Sequence, residues 1–406
     1  MINTIKKLLN NNLYTISLYS RQIAGTLVLF IIARYLSVYD YGLFSSYKNI
    51  ASFCFMFANL GFSDYILVSS QANAKEVKLK ISLFLLNAIF IGIIIIFGSI
   101  FFHVDSHLLF WLVVIRTFFD GVFFALILPY FQATKTFNSI AKINIIYAIC
   151  ISLIAILSYI FKLSLYKFLY LNITLGLINF IQCSIFAKIN YFLVFNYIKR
   201  FCKMVDKSIW AYIGVTIAYF LYAQIPSLYV STFLTKEDAA LYFSAFTIAS
   251  VIGLLISAQV QKMMPDLINN SIENIKLILK KNLKIMLFIT GGLFLFMLLF
   301  GKLILLLLYG QSYYGNAYPI LLILMFGNIC VAEAAVYGAY ITASGNQKRK
   351  IPMQIEATAF TIIGLIILHK YGIYGAALSF LFAAIYISYR YTSFTLKMLK
   401  LVAKED

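Results

Sequence analysis

The sequence has little charge, and few histidines and prolines for its length. Only 12% of its 406 residues are charged, and it contains three histidines, five prolines and five cysteines. Soluble domains are typically about one quarter charged. The composition excludes a water-soluble domain, because 63% of the residues are hydrophobic and a soluble core cannot bury that much apolar surface.

Residues that bind metals or act as nucleophiles are scattered rather than clustered. The cysteines form no C-x-x-C pair and most lie within apolar stretches, which favours packing roles. Histidines without a cluster do not predict a metal site. The sequence also contains no nucleophile–base pair and no phosphate-binding loop. We therefore expect neither a metal nor an organic cofactor.

What the sequence does contain is a series of long apolar stretches. A helix needs about 20 mostly apolar residues to cross a bilayer. The series predicts an all-α, polytopic membrane protein of about twelve transmembrane helices. The second, seventh and eighth spans are the weakest, because they are rich in Ser, Asn and Gln. The predicted spans are 14–36, 42–67, 81–102, 108–131, 140–161, 165–187, 209–233, 239–262, 283–308, 317–342, 352–369 and 373–395.

The basic residues indicate an orientation. The formal net charge is +19, and Lys and Arg are concentrated in every second connection, as in residues 199–207 and 276–284. Cytoplasmic connections carry such an excess, so we place both termini in the cytoplasm of a multi-pass inner-membrane protein. Because no basic soluble domain is predicted, anionic lipid headgroups are the expected partners of these loops, and nucleic acid is not.

Two short motifs occur once in each half of the chain. Ser37 with residues 40–44 (DYGLF) resembles Thr235 with residues 238–242 (DAALY). Each places an acid three positions after a hydroxyl residue, which is the spacing of a capping box at a helix start. Residues 130–134 (YFQAT) and 340–344 (YITAS) form a second echo. The echoes predict two parallel repeats, an N-terminal six-helix lobe (1–200) and a C-terminal one (201–406).

These motifs belong to a pattern that resembles the polysaccharide flippases of the Wzx type. Residues 33–37 (ARYLS) with 40–44 resemble the signature of the first hairpin of that family. The run from Pro226 to Pro265 resembles its seventh and eighth spans. Residues 343–348 (ASGNQK) and 372–377 (GIYGAA) resemble the segments that open its last two spans. In order and spacing, the resemblance covers nearly the whole chain.

The resemblance implies membership of the multidrug/oligosaccharidyl-lipid/polysaccharide exporter superfamily, with two bundles of six helices around a central cavity. It implies a cargo of undecaprenyl-diphosphate-linked oligosaccharide repeat units. The cargo would move from the cytoplasmic to the outer leaflet for assembly of a surface polysaccharide, the O-antigen of lipopolysaccharide or a capsule. A monomer is expected with this function, and a polysaccharide polymerase and chain-length machinery are candidate partners.

Ionised side chains within the predicted spans are candidates for the transport site. A charge at the bilayer centre costs about 2.5–3.5 kcal/mol on insertion scales, so such residues should face protein or water. We expect Arg21, Lys48 and Arg116 to bind the diphosphate, because a guanidinium can donate two hydrogen bonds to a phosphate. Two alternatives stay open: Arg116 is neutralised by Asp120 four residues later, or Lys48 and Arg390 extend to the membrane surface.

Acidic residues in the spans are the candidates for ion coupling, namely Glu333, Glu356 and Asp120. Glu333 is the most isolated, and a buried carboxyl group without a nearby cation holds a proton readily. Coupling to protons or sodium ions is therefore the hypothesis. The alternative is a carboxyl group that is simply hydrogen-bonded to a neighbouring helix. Pro226 within the seventh span predicts either a hinge or a static kink.

Two other functions are weighed against the flippase. A cation-coupled multidrug antiporter of the same superfamily shares the architecture, but the basic excess and the hairpin motifs favour the flippase. A membrane enzyme such as a polysaccharide polymerase is expected to need catalytic basic residues on a large outer loop, and the predicted outer loops are short. The sequence thus predicts a transporter and not an enzyme.

Overall fold

The long apolar stretches form long helices. A computed structural model describes residues 2–59, 74–101, 104–122, 137–187, 209–267 and 270–402. Within these ranges every long element is a helix, so the all-α prediction is confirmed. The twelve long helices of the described residues are α1 (Ile2–Tyr35), α2 (Val38–Asn59), α3 (Ala74–Phe101), α4 (His107–Val122), α5 (Phe137–Ile160), α6 (Leu165–Ala187), α7 (Ile209–Phe233), α8 (Lys236–Leu267), α9 (Ile272–Tyr309), α10 (Ala317–Ala343), α11 (Lys350–Leu368) and α12 (Gly372–Val402).

The helices belong to two compact units, Met1–Ile213 and Gly214–Asp406. In the first unit, α1 packs along α5, and α4 contacts α2, α3 and α6. In the second unit, α10 contacts α8, α9 and α12, and α11 pairs with α12. Two helical bundles, as predicted, therefore make up the fold. The division falls within α7, and the predicted boundary after residue 200 lies outside the described residues.

The outer surfaces of the helices are suited to lipid. Among the described residues, large apolar side chains such as Ile160, Phe288 and Leu299 are between 63% and 82% exposed. A surface of this kind needs hydrocarbon around it, and the chain is a multi-pass membrane protein. Six described stretches are long and apolar enough to cross a bilayer by length and composition: Ile140–Ile160, Leu165–Phe186, Ile213–Phe233, Ile272–Tyr309, Ala317–Ala343 and Gln347–Lys400, the last containing α11 and α12.

The same helix-start motif occurs in both units. Before α2, the amide of Asp40 donates to Ser37 Oγ at 3.0 Å, and the Ser37 hydroxyl donates to the Asp40 carboxylate at 2.7 Å. Before α8, the amide of Asp238 donates to Thr235 Oγ1 at 3.1 Å. These N-cap bonds confirm the predicted helix starts. The second echo stays a prediction, because residues 130–134 lie outside the described part of the chain.

One predicted connection is mostly helical. The sequence predicts a connection over residues 263–282, but α8 continues to Leu267 and α9 begins at Ile272, so this expectation is wrong for most of the range. Ser271 caps α9, and the lysines of its first turns are exposed. An amphipathic helix therefore forms where charge alone suggested a loop. Its buried residues recur at helical spacing: Ile275, Leu279 and Met286.

Candidate functional site

Three helices of the first unit bring together the charged side chains that the sequence analysis selected. Arg21 on α1 approaches Asp120 on α4, with 4.0 Å between Nη2 and Oδ1. Arg116, one turn before Asp120 on α4, forms an ion pair with Oδ2 of the same carboxylate. Lys48 on α2 lies within electrostatic range of Arg116 and Asp120. Two guanidinium groups therefore pair with one carboxylate, and the Lys48 ammonium interacts with them electrostatically; we call these four residues the Arg21 group.

Arg21 is the most deeply buried member of the Arg21 group, with 3% of its side chain exposed. Its guanidinium carbon lies 3.8 Å from the centre of the Tyr147 ring, and Nη1 donates to Asn144 Oδ1 at 3.4 Å. The Tyr147 hydroxyl in turn donates to Asp120 Oδ1 at 3.3 Å. Asn144 and Tyr147 lie three residues apart on one face of α5. The Tyr147 ring therefore stacks on the guanidinium while the Asn144 oxygen orients it.

The balance of charge in the Arg21 group favours an anionic ligand. The pairing of Arg116 with Asp120 that the sequence left open is present. Asp120 nevertheless supplies one negative charge against three positive ones within the group of four. Guanidinium groups offer several N–H donors in a fixed plane, which suits phosphate oxygens. The assignment of Arg21, Lys48 and Arg116 to cargo binding stays a prediction.

Glu333 in the second unit is held by neutral hydroxyl groups. Its Oε2 accepts from Ser388 Oγ at 2.8 Å, and its Oε1 accepts from Thr392 Oγ1 at 3.4 Å. Both hydroxyls come from α12, one turn apart, so the carboxyl of α10 is bonded to a neighbouring helix, as one of the two sequence alternatives expected. Carboxyl and hydroxyl oxygens together can hold a proton or ligate a hard cation. A coupling role for Glu333 stays a prediction.

Glu356 on α11 has a charged partner. Its Oε2 lies 2.8 Å from Nη1 of Arg390 on α12. The Tyr386 hydroxyl donates to the same carboxylate oxygen at 2.6 Å and accepts from Arg390 Nη1 at 3.1 Å. The sequence suggested that Arg390 extends to the membrane surface, whereas here it reaches across to α11. Glu356 is therefore locally balanced, unlike Glu333. Its coupling role also stays a prediction, as does that of Asp120.

Pro226 lies inside α7, and the helix continues past it. A proline has no N–H, so the carbonyl of the residue four positions earlier, Tyr222, loses its helical partner. Thr361 Oγ1 on α11 lies 3.5 Å from that carbonyl oxygen and 3.0 Å from the carbonyl oxygen of Ala357. A hydroxyl from another helix thus lies within reach of the carbonyl that lacks its amide partner. Whether α7 bends here during function is the hinge prediction, which these contacts leave open.

The sequence analysis missed the neutral partners of the charged residues. Their signal was spacing: pairs of polar residues three or four positions apart within apolar spans lie on one helix face and bond across to another helix. Among the described residues, no group of three His, Cys, Asp or Glu side chains is placed to hold a metal. The missed partners are Asn144, Tyr147, Tyr386, Ser388 and Thr392.

The family follows from a comparison with known proteins. Residues 31–318 match the family described as "Polysaccharide biosynthesis protein". This chain belongs to that family. The match confirms the motif-based resemblance to polysaccharide flippases of the exporter superfamily. No curated protein matches the sequence of this polysaccharide biosynthesis protein significantly.

Solved structures share the fold of this polysaccharide biosynthesis protein. The lipid II flippase MurJ, in an inward closed conformation, aligns with a TM-score of 0.71 at 16% identity, over 97% of this chain and 93% of that one. An inward-facing multidrug resistance MATE family transporter of the MOP superfamily aligns with a TM-score of 0.62 at 14% identity, over 97% and 95%. A MOP superfamily transporter from Pyrococcus furiosus, reported with a binding pocket of reverse polarity, aligns with a TM-score of 0.62 at 12% identity, over 96% and 94%. At these identities the likeness shows the fold.

Proposed function

We propose that this polysaccharide biosynthesis protein is a flippase for undecaprenyl-diphosphate-linked oligosaccharides. It would move each repeat unit from the cytoplasmic to the outer leaflet of the inner membrane, for assembly of an O-antigen or a capsule. The observation that carries the proposal is the Arg21 group, in which cations outnumber the carboxylate and Arg21 is buried. The family match and the fold shared with a lipid II flippase support a lipid-linked cargo.

The Arg21 group addresses the main barrier to this transport. A diphosphate cannot enter hydrocarbon without a large loss of hydration free energy, and cations fixed inside the protein offset that loss. Stacking on Tyr147 holds the Arg21 guanidinium in place before cargo arrives. Asp120 balances part of the charge in the resting protein. Cargo phosphate then replaces Asp120 as the partner of Arg116, so one anion is exchanged for another.

Coupling is assigned to the second unit in this proposal. Gain of a proton by Glu333, or binding of a sodium ion beside it, changes its bonds with Ser388 and Thr392 and hence the contact between α10 and α12. Bending at Pro226 in α7 would accompany that change. No covalent bond of the cargo is broken, so the protein acts as a transporter and not as an enzyme. It would work as a monomer upstream of a polysaccharide polymerase.

Transport by the purified full-length chain in proteoliposomes tests the proposal. The substrate is a fluorescent polyprenyl-diphosphate oligosaccharide, and a membrane-impermeant reductant reports how much of it is in the outer leaflet. We expect protein-dependent transfer of this lipid and none of a fluorescent phosphatidylcholine. Equal transfer of both lipids, or of neither, contradicts the proposal.

A cation-coupled multidrug antiporter is the second candidate, because neutral hydroxyl groups hold the carboxyl group of Glu333 and MATE transporters share the fold. Deletion of the gene separates the two functions. Accumulation of a lipid-linked oligosaccharide in the cytoplasmic leaflet supports the flippase. Altered drug tolerance with an unchanged leaflet distribution supports the antiporter.

A further inference from the structure

An apolar groove of about 470 Å³ runs between α11 and α12 in the second unit. Its volume is in the range usual for small-ligand sites. The side chains that form its walls are large, and most are about half exposed, so the groove is open along its length. The walls include Phe360, Ile363, Ile367, Phe382, Ile385 and Tyr389.

The floor of the groove is a close contact between the two helices. Gly364 on α11 faces Ser379 on α12, and a Cβ at Gly364 would lie 3.1 Å from Ser379 Oγ. Ser379 is fully buried. The two helices therefore approach closely at this point, and the large side chains on either side of it form the walls of the groove.

The shape of the groove suits a chain rather than a compact molecule. The part of α11 that lines it runs from Phe360 to Leu368. That is about 12 Å along the helix axis, at 1.5 Å per residue. The walls are hydrocarbon and aromatic rings, which attract an apolar chain without directing a polar group.

One end of the groove is charged. The Phe360 ring packs against the Tyr386 ring, with 4.3 Å between centroids. The Tyr386 hydroxyl bonds to both members of the Glu356–Arg390 ion pair. The side chains of Arg390 and Glu356 are 36% and 39% exposed, so the pair is accessible beside the groove. An apolar channel that ends at an accessible guanidinium fits an amphiphile with an anionic group.

We propose that the α11–α12 groove binds the isoprenoid chain of the lipid-linked cargo, with an anionic group of that lipid beside Arg390. This inference rests on the proposed flippase function and adds a holding site to the Arg21 group. Glu356 lies one turn before Phe360 on α11, so the Glu356–Arg390 pair marks the charged end of the groove. The anionic group of the lipid takes the place of Glu356 as the partner of Arg390 Nη1.

The test uses the full-length chain in nanodiscs of phosphatidylethanolamine and phosphatidylglycerol. The probe is a polyprenyl diphosphate with a photoreactive diazirine in its isoprenoid chain, and mass spectrometry locates the labelled residues. We expect labelling of the groove walls on α11 and α12, and competition by unlabelled polyprenyl diphosphate. Equally effective competition by added phosphatidylglycerol would show an ordinary lipid site and overturn the proposal.

Two adjacent isoleucines provide a matched pair of variants. Ile367 lines the groove and Ile366 does not, yet their exposed fractions are 68% and 67%. We expect Ile367→Trp to reduce labelling about tenfold by filling the groove, and Ile366→Trp to leave labelling unchanged. Arg390→Gln should reduce labelling by the diphosphate probe but not by the matching uncharged polyprenol probe. Equal labelling of both tryptophan variants contradicts the proposal.

Transport measurements separate this inference from the function on which it rests. If the wild-type chain transports cargo, and Ile367→Trp labels and transports as Ile366→Trp does, the groove proposal is wrong and the flippase proposal stands. If the wild-type chain labels in the groove but transports no cargo, the flippase proposal is wrong instead.

Discussion

The two helical units accommodate interior charge in different ways. In the first unit, two arginines share one carboxylate, and the Arg21 guanidinium stacks on the ring of Tyr147. In the second unit, hydroxyl groups hold Glu333, and Glu356 is matched one to one by Arg390. The first arrangement is consistent with the predicted anion site, and the hydroxyl-bonded carboxyl group of Glu333 in the second is consistent with the predicted coupling site. The partners of each charge, rather than the number of charges, thus distinguish a candidate cargo site from a candidate coupling site.

The largest expected effect comes from removing the buried cation of the first unit. Arg21→Ala should slow transport of the lipid-linked oligosaccharide about a hundredfold, because hydrogen bonds to charged groups contribute about 1.5–3 kcal/mol each. Arg21→Lys keeps the charge but loses the planar stack on Tyr147, so its transport rate should lie between those of the wild-type protein and Arg21→Ala. The proteoliposome assay measures both. Arg34→Ala, at the exposed end of the same helix, is the control, and equal rates for Arg21→Ala and Arg34→Ala would remove the Arg21 group from cargo binding.

A smaller effect is expected from the carboxyl group of the second unit. Glu333→Gln should lower gradient-driven transport about tenfold, which is usual for coupling between two sites. The variant should stay folded, because a glutamine oxygen still accepts a hydrogen bond from Ser388. Rates with and without an imposed proton or sodium gradient provide the measurement. If the response to the gradient equals that of the wild-type protein, Glu333 is not the coupling group.

The ion pair of the second unit should contribute modestly to stability. In a double-mutant cycle with Glu356→Gln and Arg390→Gln, we expect an interaction free energy of about 1 kcal/mol, because partly exposed pairs are screened. Thermal unfolding of the single and double variants in detergent gives this value. Additive effects of the two substitutions would show that the pair contributes nothing and would weaken the contrast with Glu333.

Effects on stability of similar size are expected at the helix starts, where the two units are alike. Ser37→Ala and Thr235→Ala should each lower the free energy of unfolding by about 1 kcal/mol, the usual value for an N-cap. Ser37 also donates to the Asp40 carboxylate, so its replacement should have the larger effect. Thr232→Ala, within α7, is the control and should change stability less. If Ser37→Ala and Thr235→Ala lower the free energy of unfolding no more than Thr232→Ala does, the two units do not share a stabilising N-cap.

The sequence predicted the helices and their capped starts because these depend on local composition and spacing. It also predicted which charges lie within spans. It could not predict their partners, because apolar helices of similar composition do not specify which faces meet. Tyr147 became the neighbour of Arg21 only through the packing of α1 on α5, and Ser388 that of Glu333 only through the packing of α10 on α12. The helical start of α9 was missed because basic residues were taken to mark a connection.

The bond between Thr361 and the Tyr222 carbonyl has a consequence for how α7 can flex. In hydrocarbon, a backbone carbonyl without a hydrogen-bond donor costs several kcal/mol. Bending that breaks backbone hydrogen bonds is therefore unfavourable in a transmembrane helix. Thr361 has two acceptors within 3.5 Å, one on its own helix and one at the break opposite Pro226. Under the hinge prediction for Pro226, rotation of the Thr361 side chain would keep a hydroxyl donor beside the Tyr222 carbonyl while α7 bends.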